Sequence, residues 1–172
     1  MELDYILQRR FVKNLTSLRD KINCSKDLKK QRKHIEIIEK EITMFHAKAV
    51  NQVIKKSGEN VDFVGFHGQT IFHNAKEKIT KQLGDGKLLS KLTKKNVIYD
   101  FRKKDLKNGG EGAPLTPIFH KLLQKKFKIK QVSFFNIGGI VNKTTILNDG
   151  SIVASDLGPG MCLIDKWIRS NS

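Results

Sequence analysis

Asn136-Ile137-Gly138-Gly139-Ile140-Val141-Asn142, followed shortly by Asp156-Leu157-Gly158-Pro159-Gly160, is the part of the chain whose reading decides the fold. The first stretch follows the apolar run Val132-Ser133-Phe134-Phe135 and precedes Lys143-Thr144-Thr145-Ile146-Leu147. It therefore reads as a strand, a glycine turn and a return strand. Two glycines at a hairpin tip let backbone amides approach a ligand with no Cβ in the way, which suits a phosphate. The same pair also makes a tight hairpin with no ligand at all. The second stretch places a lone carboxylate, Asp156, at the mouth of another glycine turn, just before an apolar helix start at Cys162-Leu163-Ile164. A carboxylate beside a phosphate-binding loop is placed to deprotonate an attacking oxygen. It is equally suited to capping the helix that follows.

Two upstream segments carry further polar groups. Val61-Asp62-Phe63-Val64-Gly65-Phe66 is a short apolar strand that delivers His67-Gly68-Gln69-Thr70 at its end. Val97-Ile98-Tyr99 delivers Asp100-Phe101-Arg102 and Asp105, then Gly109-Gly110-Glu111-Gly112-Ala113-Pro114-Leu115. Polar side chains gathered beyond the carboxyl ends of strands are where open α/β sheets bind ligands. With these residues together the chain resembles the anhydro-N-acetylmuramic acid kinases of bacterial cell-wall recycling. The resemblance rests on H-G-Q-T at 67–70, Q-L-G-D at 82–85, D-F-R-K-K-D at 100–105, G-G-E-G-A-P-L at 109–115, N-I-G-G-I-V-N at 136–142 and D-L-G-P-G at 156–160. The six motifs stand in the family's order and spacing.

The resemblance implies an α/β chain belonging to the two-lobe actin-like and sugar-kinase (RNase H-like) ATPase fold, with nucleotide held in the cleft. It implies ATP with Mg2+, and a small-molecule amino sugar, 1,6-anhydro-N-acetylmuramic acid, in a cytoplasmic enzyme. It makes Asp156 the general base. Asn136, Gly138, Gly139, Asn142, Gly158 and Gly160 fall on the nucleotide-phosphate side, and His67, Gln69, Arg102, Asp105 and Glu111 on the sugar side. Arg102 suits a carboxylate because its planar fork binds both oxygens, although an ion pair with Asp105 is the plainer use of both. Glu111 stands where the family commonly has glutamine, and Met161 where it usually has asparagine. The residues supply no dedicated magnesium set; Asp85 and Asp156 are candidates through water.

Kinases of this kind open with a phosphate loop rich in glycine, serine and threonine, yet residues 1–28 contain no glycine. The expected organisation is a helical segment over 1–28, part of a first lobe over 29–130 and the start of a second lobe over 131–172. The boundary is expected near Lys128–Gln131. Half-built sheets with open edges favour association, as a homodimer or with a complementing fragment. A non-enzymatic remnant of such a kinase is the competing reading.

The net charge of +16 and pI near 9.9 raise the question of nucleic acid. Lysines are scattered along the whole chain, however, and the densest clusters, Lys29-Lys30-Gln31-Arg32-Lys33 and Lys125-Lys126-Phe127-Lys128, lack the aromatic interleaving of a stacking platform. The pattern reads as a solvated lysine surface. Two distant cysteines, Cys24 and Cys162, offer neither zinc spacing nor a redox pair. No apolar run reaches the length needed to span a bilayer, and Met1–Tyr5 lacks a signal pattern.

Leu3, Ile6, Leu7, Phe11, Leu15, Leu18 and Ile22 predict an amphipathic helix with room for an interruption. A long helix follows over Lys29–Lys56 on the face Ile35, Ile38, Ile42, Phe45, Ala49 and Val53, stopped at Ser57-Gly58. His46 and His120 read as packed helix histidines. A short helix is expected over Leu88–Leu92. Another is expected over Pro114–Phe127, with Leu115, Ile118, Phe119, Leu122 and Leu123 facing the core.

Overall fold

The helical spacing of the first sixty residues becomes three helices: α1 (Glu2–Asp20), α2 (Ser25–Lys30) and α3 (Arg32–Ser57). The computed structural model describes residues 2–171, with the side chains of 11–168 and 170–171. Of the apolar stripe read at the N-terminus, the side chains of Leu3, Ile6 and Leu7 therefore lie outside the described residues. The chain is mixed α/β and forms two compact units, Met1–Gly112 and Ala113–Ser172.

In the first unit α3 lays Ile35, Ile38, Ile42 and Ala47 into a core shared with Leu18, Ile22, Phe66, Ile71, Leu83 and Leu89. Phe45 and Val53, expected on that face, are exposed. The buried stripe runs instead through Thr43 and Ala47. His46 is half-buried, with Nδ1 2.8 Å from the Ile42 carbonyl and its ring tilted against Phe66 at 5.1 Å. Gly58 ends α3 at φ 68, its amide bonded to the Ile54 carbonyl. This is the left-handed cap that glycine adopts without strain.

β1 (Phe63–Phe66) pairs in parallel with β4 (Asn96–Tyr99), from Phe63↔Asn96 to Phe66↔Tyr99. A parallel pair needs a crossover. Here it is the hairpin β2 (Gln69–Asn74) and β3 (Ile79–Leu83), then helix α4 (Gly86–Thr93). Residues from α3 hold the turn after β3. Glu39 Oε1 accepts from Lys81 Nζ (2.6 Å) and the Gly84 amide (3.1 Å), and Thr43 Oγ1 accepts from the Asp85 amide (2.9 Å). β4 leads into α5 (Phe101–Lys107).

The second unit is α6 (Thr116–Phe127), the antiparallel meander β5 (Val132–Ile137), β6 (Ile140–Ile146) and β7 (Ile152–Pro159), and α7 (Cys162–Asn171). Helix α6 starts two residues later than the sequence suggested. Pro117, not Pro114, occupies its first turn, and the Ala113–Pro114 peptide is cis. Its packed side is Pro117, His120 and Gln124, whereas Ile118, Phe119 and Leu122 face outward. Three contacts set this rotation: His120 stacks on Phe134 at 4.3 Å, Lys121 Nζ donates to the Gly150 carbonyl at 2.7 Å, and Gln124 Nε2 donates to the Lys130 carbonyl at 2.8 Å. Helix α6 packs on β6 and β7, so the expected boundary at 128–131 falls inside this unit.

Candidate active site

Arg102 sits in the first turn of α5 and Asp105 one turn later, a spacing that puts both on one side of the helix. Both reach Gly112. Arg102 Nη1 donates to the Gly112 carbonyl at 2.7 Å, and Asp105 Oδ2 accepts the Gly112 amide at 2.7 Å. The loop between them is shaped by its glycines. The Gly110 amide donates to the Asp105 carbonyl at 2.9 Å, and a Cβ on Gly110 would sit on the Asp105 carboxylate. Gly112 has φ 71, and a Cβ there would lie 2.8 Å from Leu106 Cγ and 3.1 Å from His73 Cε1. The G-G-E-G motif is thus a loop folded back over the end of α5.

His67 joins this group from the turn after β1. Arg102 Nε donates to His67 Nε2 at 2.9 Å. Arginine has no acceptor, so Nε2 is unprotonated and the ring proton lies on Nδ1, which donates to the Gly68 carbonyl at 2.8 Å. Gly68 itself has φ 69 and a Cβ there would collide with the Leu83 carbonyl. Gln69 lies exposed at the start of β2, paired with Leu83, and Glu111 is exposed in the loop. The Arg102–Asp105 ion pair weighed from the sequence is not formed; the Gly112 peptide is held between the two side chains instead. His73, which backs Gly112, carries no signal in the sequence.

The second group lies on the meander. Asn136 is paired with Asn142, and Asn142 with Asp156. Directly opposed residues on neighbouring antiparallel strands present side chains to the same face, so the three polar residues form one row across three strands. Asp156 is in β7 and not in a loop. It caps no helix, since α7 begins at Cys162. The strand runs on through Asp-Leu-Gly-Pro because the ladder changes register there: Val141 opposes Gly158 while Asn142 opposes Asp156, leaving Leu157 as the extra residue of a bulge. Gly158 takes φ 155, and Pro159 ends an edge strand, where a missing amide is tolerated. Asp156 is exposed to water.

The Gly138-Gly139 turn engages the chain through its carbonyls. Gly139 O accepts from Gly160 (2.8 Å) and Cys162 (3.2 Å), and Gly138 O accepts from Met161 (2.9 Å). A Cβ on Gly160 would run into the Gly138 carbonyl, so this approach requires glycine. Gly138 and Gly139 do not have positive φ, and Cβ atoms on them would meet nothing nearer than 3.6 Å. Their own packing leaves both positions open.

The family model for anhydro-N-acetylmuramic acid kinase matches residues 6–172. The chain belongs to the anhydro-N-acetylmuramic acid kinase family.

A protein of Pelagibacter ubique (strain HTCC1062) named anhydro-N-acetylmuramic acid kinase is 55% identical over 162 residues, covering 92% of this chain and 43% of that protein. One of the same name from Rhizobium etli is 47% identical over 137 residues, 77% of this chain and 37% of the relative. Another from Brucella canis is 42% identical over 138 residues, again 77% and 37%. The chain spans less than half the length of these curated relatives.

Asp85 is committed as the cap of α4, accepting the amides of Lys87 (2.9 Å) and Leu88 (3.0 Å). Among the described residues no group of three or more His, Cys, Asp or Glu could hold a metal. No described helix is long and apolar enough to cross a membrane. A concavity of about 700 Å3 lies on α4 and β4, lined by Lys87, Ser90, Val97 and Tyr99.

Proposed function

We propose that the chain carries sugar- and phosphate-handling parts of a cytoplasmic ATP-dependent kinase acting on 1,6-anhydro-N-acetylmuramic acid. The reaction takes ATP, water and the anhydro-sugar to N-acetylmuramic acid 6-phosphate and ADP. Asp156 takes the proton of the attacking water as the water oxygen bonds to C1. The C1–O6 bond breaks, and the freed O6 accepts the γ-phosphoryl group. A carboxylate suits this role because it is ionised at neutral pH.

The observation that carries the reading is the row Asn136, Asn142 and Asp156, with the Leu157 bulge that brings Asp156 into it. Bulges concentrate beside active sites because they re-aim a side chain. The open positions at Gly138 and Gly139 support an approach by phosphate, with Asn136 and Asn142 flanking it and Gly158 and Gly160 shaping the opposite turn. His67, Gln69, Arg102, Asp105 and Glu111 supply the sugar side.

A coupled ADP-release assay with the anhydro-sugar tests the reading, comparing the chain with Asp156→Asn. Loss of a general base lowers the rate by about 10²- to 10⁴-fold. Because Asp156 is exposed, the thermal unfolding of the variant is expected to stay close to that of the parent. Equal ADP release from both chains removes Asp156 from the role.

A further inference from the structure

Strand β4 is bonded on one side only. β1 takes that side and no described strand takes the other, so β4 presents an outer row of unpaired N–H and C=O groups. The concavity on α4 and β4 runs along this free edge. All four consecutive residues Asn96–Tyr99 line it, whereas a hollow over a sheet face would meet only every second one. The groove has two unlike walls. Phe63 and Gly65 oppose Asn96 and Ile98, so the exposed side chains of Phe63 and Ile98 share one face of the pair. Val97 and Tyr99 lie on the other face, packed against the core, and Gly86 at the start of α4 sits on the Tyr99 ring. Lys87 and Lys91 line this α4 wall. Lys94 and Lys95 extend it into an adjoining hollow that shares Ser90 and Asn96, where Asp62 is the one acid. Among the described residues none of these four lysines has a carboxylate within 4.0 Å.

A strand added along β4 sends alternate side chains to the two walls. Residues two apart on a strand are separated by about 6.6 Å, and residues four apart on a helix by about 6 Å along its axis. Acids at every second position therefore keep step with Lys87 and Lys91. We propose that the groove between α4 and the free edge of β4 takes an extended peptide of alternating acidic and apolar residues. It adds to β1 and β4 as a third strand, with its acids on Lys87 and Lys91 and its apolar side chains on Phe63 and Ile98. Main-chain hydrogen bonds supply the affinity, and the alternation selects the partner. None of these residues has a part in the proposed kinase reaction.

The test titrates the whole chain with acetyl-Glu-Val-Glu-Val-Glu-Val-amide at low salt, read by calorimetry. The peptide is expected to bind, and Lys87→Glu combined with Lys91→Glu to weaken it by about tenfold, the scale of two exposed ion pairs. Binding is expected to slow amide hydrogen exchange within residues 96–99. Two controls separate strand addition from attraction of charge: the block isomer Glu-Glu-Glu-Val-Val-Val, and a copy methylated at every backbone nitrogen. Both are expected to bind about tenfold more weakly or worse. Either control binding as well as the alternating peptide overturns the proposal in favour of plain electrostatics. Affinity untouched by the double charge reversal overturns it, as does protection that falls outside 96–99 or no binding at all. Protection of 96–99 that rises with protein concentration in the absence of peptide assigns the edge to a second copy of the chain and overturns it too.

Discussion

Arg102 and Asp105, three residues apart on α5, hold opposite ends of one residue: the guanidinium donates to the carbonyl of Gly112 and the carboxylate accepts its amide, each at 2.7 Å. A loop clamped in this way is sensitive to the chemistry of both grips and to the room Gly112 occupies. Gly112→Ala combines a left-handed backbone with a Cβ 2.8 Å from Leu106, so it is expected to cost about 2–4 kcal/mol. Gly109→Ala has φ 91 but empty space around it and is expected to cost about 1–2 kcal/mol. Denaturant unfolding of the two variants side by side checks the order. If Gly109→Ala is the more damaging, the clamp is misassigned.

Asp105→Ala leaves the part-buried Gly112 amide without its acceptor, a loss of about 1–3 kcal/mol. Limited proteolysis is expected to cut the variant within residues 108–113 sooner than the parent. Resistance equal to the parent's would show that the carboxylate does not restrain the loop.

Gly160→Ala and Gly139→Ala separate packing from approach. The first drives a Cβ into the Gly138 carbonyl and is expected to cost about 1–3 kcal/mol in thermal unfolding. The second adds a Cβ whose nearest neighbour is Cys162 Cβ at 3.7 Å, so stability changes by no more than about 0.5 kcal/mol. Nucleotide affinity, read by thermal shift with ATP and magnesium, is nevertheless expected to fall in Gly139→Ala. Unchanged affinity there argues against phosphate at the turn.

Asp27 accepts from Lys30 Nζ, Cys24 Sγ and the amides of Asn23 and Cys24, and these bonds, the Lys30 contact foremost, hold its carboxyl well below the ordinary 3.8. A depressed folded-state pKa stabilises the fold above the unfolded value and loses that contribution as pH falls through the folded one. The melting-temperature gap between the parent and Asp27→Asn is therefore expected to be constant from neutral pH down to about pH 5 and to shrink below pH 3.8. A gap that closes between pH 8 and 6 would contradict the assignment.

The ten-residue core lies wholly in the first unit, whereas Ile118, Phe119 and Leu122 on α6 and Leu163, Ile164 and Trp167 on α7 are exposed. Exposed apolar surface favours self-association, and a net charge of +16 opposes it. Salt screens the second effect and not the first. Size-exclusion chromatography is expected to show larger species as salt and concentration rise, reduced by Leu122→Lys. A monodisperse monomer throughout would rule this out.

The elements legible in the sequence were those with strong local signals. The glycine stop at Gly58, the hairpin at 138–139 and the helix start at Cys162 fall where local chemistry puts them. The hairpin strand β3 and the strand β7 were not read, because Thr80, Gln82 and Ser155 interrupt the apolar pattern and the partners that stabilise each strand are distant in sequence. Helix α5 begins at Asp100 with φ 61, a start with no capping hydrogen bond from the side chain, so no N-cap signal announced it. The face of α6 was misread because His120, Lys121 and Gln124 pack or bond inward while its large apolar residues point out. At the site, the residue types were legible and their connections were not. That both His67 nitrogens are consumed, or that Leu157 shifts the register, depends on pairings no single-strand pattern encodes.

The carbonyls of Gly138 and Gly139 are bonded to the amides that open α7, and the chain's lone tryptophan, Trp167, stands on that helix and faces solvent. Hairpin tip and indole are therefore mechanically joined through one short run of peptide bonds. The molecule thus carries an intrinsic fluorophore on the helix that the turn's carbonyls anchor, so a shift of the turn large enough to move that helix can be followed without an added label.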